Sequence, residues 1–106
     1  MLLLSTAWQA APDDALVAPP LEVLLPDAAQ RMVVDIGAVR VLHVQKFVWS
    51  DSTLGCPNAP VEREPGATPG WMVALLAGDH LLDYRTDDFR GRVILCDVHE
   101  SASPPA

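Results

Sequence analysis

Proline placement is the sequence feature that most limits what this 106-residue chain can fold into. Its ten prolines cluster at both ends and in the middle, and proline lacks the backbone N–H group that helix interiors and central strands need. We therefore expect residues 1–20 to form a disordered leader or linker and residues 99–106 a disordered tail. One folded domain is expected over residues 21–98, because a chain of this length has room for only one.

The pattern of apolar residues predicts one helix followed by strands. Pro26 and Asp27 suit the first turn of a helix, apolar residues follow at helical spacing, and Gly37 is placed to end it. Residues 21–25 would add an extra turn or a short strand. Four strands are expected after the helix, at 39–49, 71–77, 80–85 and 92–98, with a two-residue turn at 78–79. The sequence thus predicts an α+β fold class, with one helix packed on a small antiparallel sheet of about four strands.

The charge balance limits the kinds of partner. Seven Lys and Arg residues stand against fourteen Asp and Glu residues, which gives a net charge of -7. Such an acidic surface repels phosphate backbones and anionic lipids, so we expect no nucleic-acid partner. No membrane span is expected either, because the longest fully apolar run is 71–77 and a spanning helix needs about 20 apolar residues.

The first twelve residues carry an ambiguous targeting signal. They are similar to the end of a secretory signal peptide but lack its basic first region. A truncated signal peptide and a frayed cytoplasmic terminus are both compatible with this pattern.

The two cysteines offer a possible covalent link. Cys56 lies in a long irregular loop, predicted at 51–69, and Cys96 lies in the last predicted strand. Their separation of about 40 residues excludes a C-x-x-C redox pair and a zinc site built on cysteine pairs. A disulfide would tie the loop to the sheet, whereas two buried thiols would suit a cytosolic protein.

Residues 49–57 read WSDSTLGCP and resemble the W-x-D-x-[ST]-L-G-C-P signature of a family of small bacterial proteins. Members are mostly predicted to be secreted or lipid-anchored, and no activity is assigned to them. Segments 69–71, 84–87 and 93–96 resemble further motifs of the family, although Arg85 stands where histidine is usual. The resemblance covers about residues 26–97 and implies an exported protein with a Cys56–Cys96 disulfide and no established catalytic residue.

Few residues suggest a catalytic or metal-binding role. Asp51 could act as a general base or cation ligand, but an Asx turn, in which its carboxylate accepts backbone N–H groups, is the interpretation we favour. Ser50, Ser52 and Thr53 lie beside it, but none of them is part of the G-x-S-x-G motif that presents a catalytic serine. His43, His80 and His99 show no spacing that would bring them together. We therefore expect no catalytic residue, no metal site and no cofactor, and a protein that is not an enzyme.

Two tryptophans flank the predicted loop. Trp49 and Trp71 are interpreted as packing anchors, with exposure as contact residues the alternative. The candidate contact residues are Trp49, Asp51, Leu54, Gly55, Pro57 and Trp71.

The expected function is a non-catalytic, extracytoplasmic interaction or accessory module of a bacterial envelope, with an unidentified protein partner. It would use the loop 51–69 and the sheet face away from the helix. One alternative is an inhibitor of a secreted hydrolase, whose loop prolines would lower the entropy lost on binding. Another is a small cation-binding or enzymatic domain around Asp51, and a cytoplasmic location is the alternative to export.

Overall fold

A computed structural model describes residues 19–88 and 91–100 of the chain. Helix α1 (Leu21–Met32) leads through a short 3₁₀ turn (Ile36–Ala38) into four strands: β1 (Val39–Asp51), β2 (Pro65–Ala77), β3 (His80–Asp87) and β4 (Val93–Glu100). The strands form one antiparallel sheet in the order β1-β2-β3-β4. In this part of the chain no helix has the length and apolar character that a membrane crossing requires.

Helix α1 includes residues 21–25, as the first of the two alternatives for this segment predicts, and it ends earlier than the sequence predicts. It starts at Leu21, so that Pro26 lies inside the helix, on its exposed side, and not in its first turn. It stops at Met32 because Val33 adopts a left-handed conformation (φ 56°). The N–H groups of Val33 and Val34 then donate to the Gln30 and Ala29 carbonyls, which is a Schellman ending. Our prediction of Gly37 as the helix end is therefore wrong.

Two prolines lie within a strand, where the sequence predicts a loop. Pro65 pairs with Asp51 and Pro69 with Val48, both across the β1–β2 ladder. The β2–β3 ladder reaches only as far as Gly70, so both prolines sit where β2 has a strand on one side alone and their missing N–H groups break no ladder. The irregular loop therefore spans 52–64, not 51–69.

The predicted fold class is wrong, because the chain is mainly β. Strands of 13, 13, 8 and 8 residues outweigh the single 12-residue helix of the described chain. The sheet gains residues that the sequence leaves in loops and in the tail, including His99 and Glu100 at the end of β4. One helix, four antiparallel strands and the disulfide are confirmed. Residues 1–18 of the leader predicted at 1–20, and residues 101–106 of the tail predicted at 99–106, lie outside the described residues.

The sheet separates two apolar clusters. On one face, α1 packs against alternate residues of β2 and β3, which form the helix-side cluster: Leu24, Ala28, Val73, Leu75, Ala77, Leu82 and Tyr84. On the other face, the loop packs against β4 to form the loop-side cluster: Trp49, Leu54, Cys56 and Ile94. Alternation along the strands supplies both faces, so neither cluster needs a continuous apolar segment.

Strand β1 forms one edge of this sheet. Its exposed apolar side chains include Val41, Leu42, Phe47 and Val48. The β1–β2 register is irregular between Val41 and His43 and again between Trp49 and Asp51. Such irregularities twist an edge and oppose pairing with another chain.

A polar contact joins the helix to the sheet. The Tyr84 hydroxyl donates to Asp27 Oδ2 at 2.5 Å, and Arg31 Nε donates to the same oxygen at 2.7 Å. Burial acts to raise the pKa of Asp27, but the hydrogen bonds from Tyr84 and Arg31 outweigh it and hold the pKa below its ordinary value of 3.8. Burial and the nearby Asp27 carboxylate raise the pKa of the Tyr84 hydroxyl. Asp27 is therefore charged and Tyr84 neutral across the physiological range.

We expect this contact to add an acid-sensitive part to the free energy of unfolding. Because folding lowers the pKa of Asp27, its contribution is present above about pH 4 and is lost as the pH falls through the folded value. Tyr84→Phe should cost about 1 kcal/mol at neutral pH, since one hydrogen bond is lost. It should also weaken the fall in stability below about pH 4. Urea unfolding across this range measures both effects, with Asp35→Asn, at an exposed position, as the control. Equal acid sensitivity in Tyr84→Phe and the unmodified protein would contradict the assignment.

Candidate functional site

The loop between β1 and β2 is closed at its base by a buried serine. Ser52 is 5% exposed. Its N–H donates to the Glu64 carbonyl at 2.9 Å, and its hydroxyl donates to the Glu62 carbonyl and accepts the Glu64 N–H, both at 2.7 Å. These bonds fix the distance between the two ends of residues 53–63, which we call the tethered loop.

Asp51 organises the first turn of the tethered loop. Its Oδ1 accepts the Thr53 N–H at 2.9 Å and the Thr53 hydroxyl at 2.5 Å, and its Oδ2 accepts Arg63 Nε at 3.0 Å. The two bonds from Thr53, and then Arg63, hold the pKa of Asp51 below its ordinary value. The predicted Asx turn is confirmed. A carboxylate held charged by three donors is a poor proton acceptor.

The next turn contains the leucine and the glycine of the segment 49–57. Leu54 (φ 55°) and Gly55 (φ 72°) are successive left-handed residues, and the Leu54 side chain is fully buried in the loop-side cluster. A Cβ atom on Gly55 would lie 3.0 Å from Arg85 Nη1 and 3.0 Å from Trp49 Cζ3. Glycine is therefore required both by its backbone conformation and by the space available.

A disulfide joins the tethered loop to the sheet. Cys56 and Cys96 are bonded, with their Cα atoms 5.5 Å apart, and Cys56 is 2% exposed. Backbone hydrogen bonds from Cys56 to Thr53 and from Ala59 to Cys56 continue the turns on either side of the bond. The disulfide, which the sequence resemblance implies, therefore anchors the tethered loop to β4.

Arg85 is the main site residue that sequence reasoning missed. Its Nη1 donates to the carbonyl oxygens of Leu54 (3.1 Å) and Gly55 (3.0 Å). Its Nε and Nη2 donate to the two carboxylate oxygens of Asp83, at 3.2 and 2.8 Å. The guanidinium also lies 5.1 Å from the centre of the Trp49 ring, within the range of a cation–π contact.

This arrangement gives Arg85 a structural role. A histidine at this position would have only two ring nitrogens and could not donate to all four acceptors. Two sequence signals could have identified the residue. Arg85 alternates with the buried Tyr84 on β3, so it faces the loop side, and Asp83 stands two positions before it on the same face.

Some of the candidate contact residues are buried beneath the tethered loop and support it, and others lie on the protein surface. Trp49, Asp51 and Leu54 are buried, and the Trp49 indole N–H donates to the Thr86 carbonyl at 3.3 Å. Gly55 and Pro57 are exposed. Trp71 is half-buried against the helix-side cluster, on the opposite face of the sheet from the tethered loop.

The exposed side of the tethered loop forms a crest. It contains Gly55, Pro57, Asn58, Pro60, Glu62 and Arg63. Beside it runs a groove of about 360 Å³, whose lining includes Thr53, Ala59 and Val61. The sheet face away from the helix, which the sequence suggests as a second surface, lies partly beneath this loop.

Each histidine contacts a group close to it in sequence. His43 contacts Gln45 (3.1 Å), His80 contacts Asp79 (3.1 Å) and His99 contacts Asp97 (3.3 Å). Over residues 19–88 and 91–100, no three or more His, Cys, Asp or Glu side chains are grouped so that they could hold a metal ion.

Neither the curated proteins nor the solved structures include a match to this chain. A family model described as a domain of unknown function, DUF8738, matches residues 21–96. This span runs from the start of α1 to the second cysteine of the disulfide. The chain belongs to the DUF8738 family.

Proposed function

We propose that this protein is a non-catalytic, extracytoplasmic interaction module of a bacterial envelope, and that it binds a protein partner through the crest of the tethered loop. The observation that carries the proposal is the set of contacts that restrain this loop. Ser52 closes its base, Asp51 and Arg85 hold its turns, and a disulfide anchors it to β4.

A rigid loop favours binding because little conformational entropy is lost when the partner arrives. Pro57 and Pro60 limit the backbone further, and Ala59 and Val61 add half-buried apolar surface beside the polar crest. An apolar centre within a polar rim is typical of protein interfaces. Export is supported by the disulfide, since such bonds persist mainly in oxidising compartments.

The inhibitor alternative is less well supported by the shape of the loop. A hydrolase inhibitor presents a protruding segment to an enzyme cleft, whereas Leu54 and Cys56 are buried and hold the tethered loop down on the sheet. Nothing favours a catalytic or cation-binding role for Asp51, because its oxygens already accept hydrogen bonds from Thr53 and Arg63.

Site-specific photo-crosslinking in the source cells tests the proposal. A photoreactive amino acid replaces Asn58 on the crest or, as the matched control, Asp79 in the turn between β2 and β3; both positions are exposed. We expect one major adduct from position 58 and none from position 79, because only the crest forms the interface. Excess unlabelled protein should compete the adduct away.

Two results would contradict the proposal. Equal adducts from both positions would indicate random encounters. An adduct that excess protein does not reduce would indicate non-specific labelling. If the captured partner is a secreted hydrolase whose activity falls in proportion to added protein, the inhibitor alternative replaces the interaction module.

A further inference from the structure

Strand β1 keeps a regular stretch between the two irregularities of its ladder. From His43 to Trp49, each residue pairs in step with a residue of β2. Among the described strands only β2 pairs with β1, so every second N–H and C=O group of this stretch points away from the sheet. The irregularities oppose pairing at either end. They thereby limit an added strand to the seven residues between them, which we call the edge stretch.

The exposed apolar side chains of the edge stretch lie on both faces of the sheet. The rings of Phe47 and Trp49 are in contact, with their centres 4.4 Å apart, which places Phe47 on the loop side. Val48 is the next residue and lies on the helix side. Phe47 is 38% exposed and Val48 60% exposed. An element that packs on one face would cover only one of them, whereas a strand added at the edge places side chains beside both.

The charge of β1 is opposite to that of the whole chain. The chain has a net charge of -7, yet residues 39–50 contain Arg40 and Lys46 and no acidic side chain. Arg40 is exposed and forms no ion pair with another described residue. Lys46 pairs with Asp88, but 41% of its side chain remains exposed. This edge therefore attracts a strand that carries acidic side chains.

A second copy of β1 does not meet this requirement. Lys46 is the central residue of the edge stretch, so full antiparallel pairing of two copies would place it directly opposite Lys46 of the second copy. Like charges directly opposite each other destabilise a strand pair. An acidic strand from another protein satisfies the exposed backbone groups without this repulsion.

We propose that the edge stretch binds an extended acidic segment of another protein, which joins the sheet as a fifth strand. Lys46 pairs with Trp71 and so lies on the helix side; an acidic side chain of the segment lies beside it there. An apolar side chain lies beside Phe47 on the loop side. Alternating acidic and apolar residues supply these two faces. The edge stretch shares no residue with the crest of the tethered loop, so binding here does not depend on binding at the crest.

Two synthetic peptides, each as long as the edge stretch, test the proposal by NMR titration of the full chain. Valine occupies every second position of both peptides; the other positions are aspartate in one and lysine in the other. We expect the aspartate peptide to bind about fivefold more tightly, the difference between attraction and repulsion at exposed charges. Added salt should reduce this preference.

Amide hydrogen exchange distinguishes an added strand from other kinds of binding. With the aspartate peptide bound, exchange should slow at alternate amides of the edge stretch, because only the N–H groups that point away from β2 gain a partner. Binding to one face of the sheet would not produce this alternation.

Two variants place the same new charge on β1 and, as the matched control, on α1. Val48→Glu and Val23→Glu both change an exposed valine, 60% and 49% exposed, so neither should alter the melting temperature substantially. Val48→Glu should abolish the preference for the aspartate peptide, because its carboxylate lies two positions from Lys46 on the same face. Val23→Glu should keep the preference.

Any of four results would overturn the proposal. Three of them are no binding of the aspartate peptide at millimolar concentration, equal affinity for the two peptides, and slowed exchange only outside the edge stretch. The fourth is slowed exchange at alternate amides without peptide that increases with protein concentration, which would show that a second copy occupies this edge.

Discussion

Replacing Cys56 and Cys96 together by alanine is expected to lower the free energy of unfolding by about 4 kcal/mol, because the disulfide closes a segment with a sequence separation of 40 residues. The closed segment includes most of the tethered loop, all of β2 and β3 and the first half of β4, so removal of the disulfide restores conformational entropy to these residues in the unfolded chain. Alanine is preferred to serine, since Cys56 is buried and a serine hydroxyl there would lack a partner. A loss of this size is a large share of the 5–15 kcal/mol typical of a domain, as an order of magnitude.

Urea unfolding of the double variant and of the unmodified protein measures this loss. Adding reductant to the unmodified protein provides the matched control, because it breaks the same bond without changing the sequence. The reduced protein should approach the double variant, whereas the double variant should not respond to reductant. A loss below about 1 kcal/mol would show that the other contacts of the loop already restrict the chain as strongly as the covalent bond.

Arg85→Met is expected to lower the free energy of unfolding by about 3 kcal/mol, because the exchange removes a charged donor whose partners stay in place. Methionine fills similar space, so packing is largely retained. The Asp83 carboxylate and the carbonyls of Leu54 and Gly55 would each lose a partner. The side chain of Arg85 is 16% exposed, which places the effect at the lower end of the range for buried ion pairs.

Two further variants separate the hydrogen bonds of Arg85 from its charge. Arg85→Lys keeps the charge but loses the planar fork that reaches several acceptors at once, so it should recover only a minor part of the stability. Arg40→Met makes the same exchange at an exposed position of β1 and should change stability by less than about 0.5 kcal/mol. Hydrogen exchange should also show faster opening of residues 53–63 in Arg85→Met. Equal losses in Arg85→Met and Arg40→Met would refute the role we assign to Arg85.

The burial of Leu54 and Trp49 illustrates why contact residues are hard to assign from sequence. Both belong to the motif that stands out in the chain, and a motif residue is readily interpreted as a binding residue. In the structure they are buried and support the tethered loop, whereas neighbouring residues such as Gly55 and Pro57 are exposed. Burial depends on what packs above a side chain, which local sequence does not specify.

The sequence by itself determined the features that depend on local chemistry. Alternating apolar residues specified the four strands, Gly78 with Asp79 specified the turn between β2 and β3, and Asp51 before Thr53 specified the Asx turn. Each depends on neighbours within a few positions. The disulfide was implied by the resemblance and not by local pattern.

Only the tertiary structure decided the features that depend on distant neighbours. Pro65 and Pro69 lie in a strand because β1 pairs with them on one side and no β3 residue pairs with them on the other. Arg85 fixes a loop about 30 residues away in sequence, and the unpaired Thr86 hydroxyl exists because α1 and the sheet enclose it. The predicted fold class was wrong for the same reason. Pairing with neighbouring strands extends strands that the local proline content predicts to end earlier.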